Sequence, residues 1–202
     1  MNNINYDKIQ NDIIKGLGES PRLLIHSCCA PCSSYCLEKL SPHFDISVFY
    51  YNPNITNSEE YFKRLEEQKT FIKKVYGKTI SLISGNYNPN DFYSAVKGME
   101  ELKEGDKRCK ICYYLRLEET AKTAKELGYE YFTTTLSVSP HKNAKWLNEI
   151  GEELSNKYGV KYLYADFKKN GGYLRSIELS KQHNLYRQDY CGCEFSLLHK
   201  PY

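Results

Sequence analysis

Residues 22–32 read Arg22-Leu-Leu-Ile-His-Ser-Cys28-Cys29-Ala-Pro-Cys32. A short apolar run stops at a turn crowded with cysteine, which is the signal of a strand feeding a loop. Residues 33–40 continue as the first turns of a helix. The same alternation repeats along the chain. Phe44 to Tyr51 is a second strand-like run, closed by Asn52-Pro53-Asn54. A long helix starts near Ser58, where Thr56 and Glu59 have capping-box spacing. Tyr61, Leu65, Ile72 and Val75 share one of its faces, and Gly77 stops it. Thr79 to Ile83 is a third strand candidate, and residues 84–108 read as loop with a short helix around 92–102. A second long helix is expected from Cys112 to Leu127, with Tyr114, Leu117, Ala121 and Ala124 inward and Gly128 as its cap. Tyr131 to Leu136 and Val160 to Ala165 are two more strands. Between them Ser139-Pro140 reads as the start of a helix running through Trp146, Ile150 and Leu154 to Gly159.

Strands alternating with helices predict an α/β fold with a mainly parallel, doubly wound sheet flanked by helices. Ligands in such sheets collect at the carboxyl ends of the strands. The first cysteine loop falls at that end.

The composition bounds the function. The chain has 202 residues, 41% of them apolar, enough to fill one α/β core. The net charge of +3 excludes a polybasic tail but permits a local basic face. The first ten residues, MNNINYDKIQ, carry no apolar core of a signal peptide, and runs such as Leu23-Leu24-Ile25 are too short to cross a bilayer. A cytoplasmic protein with no membrane partner is expected.

That expectation controls how the eight cysteines are read: Cys28, Cys29, Cys32, Cys36, Cys109, Cys112, Cys191 and Cys193. In a reducing compartment they suggest metal binding or redox catalysis rather than structural disulfides. Two ligands from each of two neighbouring loops can surround a four-iron cluster, and the first group and Cys109-Lys-Ile-Cys112 suit that need. Cys191-Gly-Cys193 suits a redox pair or a second metal site. The bland alternative is a structural zinc site, which spacing alone does not exclude. Cys36 reads as a small buried hydrophobe.

Six motifs occur in order: His26-Ser-Cys-Cys-Ala-Pro-Cys32, Phe49-Tyr-Tyr-Asn-Pro-Asn-Ile55, Arg108-Cys-Lys-Ile-Cys112, Thr133-Thr-Thr-Leu-Ser-Val-Ser-Pro-His-Lys-Asn143, Asp166-Phe-Lys-Lys169 and Tyr186-Arg-Gln-Asp-Tyr-Cys-Gly-Cys193. Together, over roughly residues 22–196, they resemble the cobalamin-independent epoxyqueuosine reductases of the QueH type. The resemblance implies a Rossmann-like sheet of the adenine-nucleotide α-hydrolase kind. Residues 1–20 would be a variable N-terminal extension and 21–202 a single catalytic iron–sulfur domain. It implies two-electron reduction of epoxyqueuosine to queuosine at the wobble position of tRNA, with a [4Fe-4S] cluster, no cobalamin and an unidentified electron donor. Cys28, Cys29, Cys109 and Cys112 would be cluster ligands, with Cys32 an alternative fourth thiolate, and the leftover cysteines could hold an additional mononuclear iron. Cys191 and Cys193 would be the redox-active pair.

Around these motifs, Asp189, Tyr190 and Asp166 are candidate proton donors. Arg187, Lys168 and Lys169 are candidate contacts to tRNA phosphates, and Tyr190 or Tyr186 could stack on a splayed base. His26, His141, Lys103, Lys107, Arg108, Lys110, Lys142, Lys145 and Arg175 also flank the motifs. The rival readings are a zinc-stabilised RNA-binding module and a thiol-redox module without epoxide chemistry. ATP use is disfavoured, because Ser27 to Pro31 lacks the glycines of a phosphate loop.

Overall fold

The structure, a computed structural model, describes residues 4–197. The remaining ends of the expected extension and domain, 1–3 and 198–202, lie outside the described residues. The elements run α1 (Tyr6–Lys15), β1 (Arg22–His26), α2 (Ala30–Leu40), β2 (Asp45–Tyr50), α3 (Ser58–Tyr76), β3 (Ser81–Ser84), α4 (Pro89–Ala95), α5 (Lys107–Glu126), β4 (Tyr131–Thr134), α6 (Ala144–Tyr158), β5 (Lys161–Tyr162), α7 (Gly172–Gln182) and α8 (Glu194–Leu197). Every pairing in the sheet is parallel, in the order β3-β2-β1-β4-β5.

Central position explains the composition of β1. It is hydrogen-bonded on both edges and covered on both faces, so it reads as a continuous apolar run. Leu23 and Ile25 enter the core beneath α2 and α3, while Leu24 enters the core beneath α5 and α6. Each of these buried side chains contributes roughly 1.5–3 kcal/mol. With helices on both faces, the sheet is doubly wound, as the alternation predicts. All five expected strand runs pair in it.

Four local expectations are corrected. Helix α3 is capped by Asn57, whose side chain accepts from the Glu60 N–H, not by a Thr56–Glu59 box. Val75 is 38% exposed, because the apolar stripe of α3 drifts toward Phe71 and Ile72 in the last turns. Ser139-Pro140 does not start α6; a 3₁₀ turn over Thr135–Val138 ends there, and Asn143 caps the helix by accepting from the Trp146 N–H. Helix α5 also starts earlier than expected, because Asp106 caps it, so Cys109 and Cys112 lie in its first two turns.

Two helices, α1 and α7, were not anticipated from the sequence. Asp7 on α1 binds Lys39 of α2 at 2.8 Å and accepts from Asn170 ahead of α7 at 2.7 Å. Gln10 donates to the Tyr164 carbonyl at 3.0 Å. Polar ties of this kind fasten α1 to the domain.

Candidate active site

Chain direction reverses at β1 in this sheet. From β1 the connections run outward through β2 to β3 on one side, and through β4 to β5 on the other. The crevice between the carboxyl ends of β1 and β4 is where such a sheet binds ligands. Cys28, Cys29 and Cys32 emerge from β1 there, and the turn after β4 faces them with Leu136, Val138, Ser139 and Pro140.

The turn carrying these cysteines is held from below. Cys29 is the N-cap of α2 in extended conformation, and Pro31 follows in the first turn, where its missing N–H costs nothing. Ser27 and Ser33 hydroxyls both donate to Gln68 Oε1, at 2.8 and 3.0 Å, and Asn52 donates to the Ser27 carbonyl at 2.9 Å. His26, fully buried, places Nε2 3.1 Å from the Tyr51 carbonyl. That oxygen only accepts, so Nε2 carries the proton and Nδ1 accepts from the Thr134 hydroxyl at 3.0 Å. Burial, reinforced by the nearby Arg116 charge, pushes the His26 pKa down to about 4, so the ring is a neutral brace between β1, β2 and β4.

The three Sγ atoms of Cys28, Cys29 and Cys32 lie within 4.8 Å of one another, and those of Cys28 and Cys29 are 3.7 Å apart. Hydrogen bonds from the Cys29 and Cys32 thiols pull the Cys28 thiol well below its usual range, and Arg116 adds to this. Burial pushes Cys29 up to about 12. One thiolate among three close sulfurs is a donor set for a thiophilic metal. It contains no carboxylate.

A cavity of about 860 Å³ opens over Cys28 and Cys32. Cys191, Arg187, Asp189 and Tyr190 line its far side, and Lys103, Lys142 and His141 its rim. Behind it lies a second cavity of only about 20 Å³, lined by Cys109, Cys112, Cys191 and Cys193. Arg116, Glu104, Lys142, Cys191 and Ser196 border both. All three cysteine groups therefore meet at one crevice, but in an arrangement the sequence does not show. The tightest thiol group is Cys28, Cys29 and Cys32, while Cys109 and Cys112 sit nearest Cys191 and Cys193. All eight cysteines are free thiols. Cys36 is fully buried in the core, its thiol donating to the Cys32 carbonyl at 3.3 Å, as expected of a small core residue.

The Cys191 thiol is pulled well below its usual range by a hydrogen bond from Cys193, with Lys142 contributing. Burial opposes the Lys142 charge, but Cys191, Tyr113 and Glu104 more than offset it, and Glu104 binds its Nζ at 2.7 Å.

Other candidates fall elsewhere. Lys168 and Lys169 do not line the cavity; Lys168 pairs with Asp166 at 2.5 Å beside the turn into α7. Tyr186 faces α3, with Lys63 over its ring at 3.5 Å and its N–H donating to Glu67, so it is a tether rather than a cavity wall. Arg175 is paired with Glu38 and Glu178 on the surface.

The sequence reading missed Arg64, Arg116 and Gln188. Arg64 donates to the carbonyls of Cys191 and Tyr190 at 3.3 and 3.4 Å and binds Glu60 at 2.6 Å, fixing the last cysteine loop to α3. Gln188 donates to Cys29 Sγ at 2.8 Å. A signal existed for both arginines. Arg64 lies in the stripe of Tyr61, Leu65, Gln68 and Ile72, and Arg116 lies between Cys112 and Thr120, each where an apolar residue belongs.

With this geometry in hand, relatives become informative. The family profile described as epoxyqueuosine reductase QueH matches residues 23–199. The chain belongs to the QueH family. A family member named epoxyqueuosine reductase QueH from Staphylococcus epidermidis is 45% identical over 203 residues, spanning 96% of this chain and 85% of its own. The QueH protein of Streptococcus pyogenes serotype M1 is 41% identical, over 96% of this chain and 78% of its own. That of Thermotoga maritima is 41% identical, over 88% of this chain and 91% of its own. Among the described residues no helix is long and apolar enough to cross a membrane.

Proposed function

We propose that this QueH-family chain is an oxidoreductase that reduces epoxyqueuosine in tRNA to queuosine. The reading is carried by one observation: in a chain of this family, three cysteine groups distant in sequence converge on one crevice at the sheet's switch point. The reaction takes two electrons and two protons, releases the epoxide oxygen as water and leaves an alkene.

A thiolate-bound [4Fe-4S] cluster, held by Cys28, Cys29, Cys109 and Cys112 with Cys32 as a further or alternative ligand, would supply electrons at low potential. The rest is work for the chain's own side chains. Oxidation of the Cys191 thiolate and the Cys193 thiol to a disulfide yields two electrons and one proton, and a second proton from a neighbouring acid balances one turnover. The Lys142 ammonium favours the Cys191 thiolate that such a step begins from. An external reductant, the unidentified donor, then resets the pair by thiol–disulfide exchange. Asp189, which lines the cavity, would hand that second proton to the leaving oxygen. Tyr190 offers a face for the modified base, and Arg187 and Lys103 at the cavity edge offer charge to the flanking phosphates.

One observation favours a second reading. Tetrahedral zinc with bonds of ~2.3 Å holds its sulfurs roughly 3.8 Å apart, close to the 3.7 Å between Cys28 and Cys29. A single zinc in an RNA-binding module would use that spacing. Anaerobic purification separates the two. The reductase is expected to be brown, to absorb near ~400 nm with about four irons per chain, and to convert epoxyqueuosine in tRNA from a strain lacking the activity. A colourless protein with one zinc and no conversion would overturn it.

A further inference from the structure

Helix α5 carries a buried guanidinium with no carboxylate partner. Arg116 is 3% exposed, and among the described residues no Asp or Glu oxygen forms an ion pair with it. Its Nε donates to the carbonyl of Cys112 at 3.2 Å, and its guanidinium borders both the large cavity over Cys28 and the small one lined by Cys112 and Cys191. The other buried cations near the crevice are accounted for differently. Arg64 is neutralised by Glu60, and Lys142 by Glu104. Arg108 is surrounded by the carbonyls of Met99, Glu100 and Leu102 and by the ring of Phe195.

A buried charge with neither water nor a partner costs several kcal/mol, so proteins retain one only beside a compensating charge. The groups that act on Arg116 and can become anionic are the thiols of Cys28 on one side and of Cys112 and Cys191 on the other, together with the Tyr113 phenol; Glu104, which borders the same two cavities, is paired with Lys142. We infer that Arg116 is the counter-cation of the thiolate centre, shared between the Cys28 group and the Cys112–Cys191 group, and that it raises the reduction potential of the metal bound there. Adding an electron to a thiolate-ligated metal makes an anionic assembly more negative. A fixed positive charge in a low-dielectric site favours that state. Arg116 is thus a positioning residue that acts through the centre's charge and not through contact with the substrate.

This inference rests on the thiolate metal centre proposed above. The test compares anaerobically purified wild-type protein with Arg116→Lys, Arg116→Gln and Arg116→Met, with Lys110→Met as a control on the exposed side of the same helix. Midpoint potential is measured by mediated redox titration of the chromophore, and iron is counted in each sample. Arg116→Gln and Arg116→Met are expected to shift the potential to more negative values and to hold less iron, whereas Arg116→Lys and Lys110→Met stay close to wild type. If the neutral variants do not fold, Arg116→Lys still decides, since a charge role requires it to keep the wild-type potential and a purely packing role does not. A wild-type chromophore with a potential unchanged in the neutral variants, or shifted equally in Arg116→Lys, overturns the inference. A wild-type protein with no redox-active chromophore overturns instead the reading on which it rests.

Discussion

At the scale of single residues, the cysteines divide by surroundings rather than by chemistry. Cys36 and Cys28 are one turn of helix and one loop apart, yet Cys36 is sealed in the core beside Leu37 and Leu40 while Cys28 lines the cavity. Cys36→Ala is therefore expected to keep its iron and its turnover and to lose about 1 kcal/mol, the cost of a small core vacancy. Cys28→Ala is expected to lose bound metal and activity together. Metal analysis and denaturant unfolding of the two variants check this. Arg64 makes a different prediction. Its guanidinium is 1% exposed and joins Glu60 to the backbone of Tyr190 and Cys191. Arg64→Met leaves a carboxylate and two carbonyls without their donor and is expected to cost roughly 3 kcal/mol, with a fall in kcat from the loosened loop. Arg64→Lys recovers only part, because one ammonium does not reproduce the fork of a guanidinium. Urea unfolding and steady-state kinetics give the two readouts.

Elements owe their placement to a few close approaches. Gly151 lies in α6 where the ring of Tyr162 on β5 packs against it, and an added Cβ would stand 2.4 Å from that ring. Gly151→Ala is expected to cost about 1–3 kcal/mol by overpacking. Gly159 ends the same helix at φ +71 with open space around it. Gly159→Ala is expected to cost only about 1 kcal/mol, from backbone strain alone. Equilibrium unfolding of the two, read against wild type, tests the ranking; equal losses would contradict it. The strands and the long helices were legible in sequence because their periodicity is a local property. Helices α1 and α7 were not anticipated although both are amphipathic; what their pattern leaves out is the polar ties, such as Asp7 to Lys39 and Asn170, that hold the first in place. Ser139-Pro140 misled for a related reason. Its N-cap signal is real chemistry, but tertiary packing of the 3₁₀ turn against α2 and α6 delays the helix to Asn143.

For the whole molecule, the placement of charge decides how tRNA would be met. Arg187 borders the large cavity, whereas Lys169 sits outside it near the turn into α7. Each phosphate contact makes the logarithm of affinity fall with the logarithm of salt by roughly 0.9. Arg187→Ala is expected to weaken binding of anticodon stem-loop RNA and to flatten its salt slope by about one, and Lys169→Ala to leave the slope unchanged. Fluorescence anisotropy across a salt series measures both. A lost slope in Lys169→Ala would move the RNA path to the α7 side.

By itself the sequence determined the five strands and the long helices between them, the position of Cys28, Cys29 and Cys32 at the end of a strand, and, through six ordered motifs, the family. These are properties of neighbours along the chain, set by side-chain period, turn chemistry and spacing. Only the tertiary structure decided which thiols meet, that Cys109 and Cys112 adjoin Cys191 and Cys193, that Lys168 and Lys169 stand apart from the cavity, and that Arg116 is buried beside thiols with no ion pair to a carboxylate among the described residues. The physical reason is that these contacts join segments far apart in sequence. Their geometry follows from the parallel sheet order and the packing of α3 and α5 around its crevice, which no local pattern records.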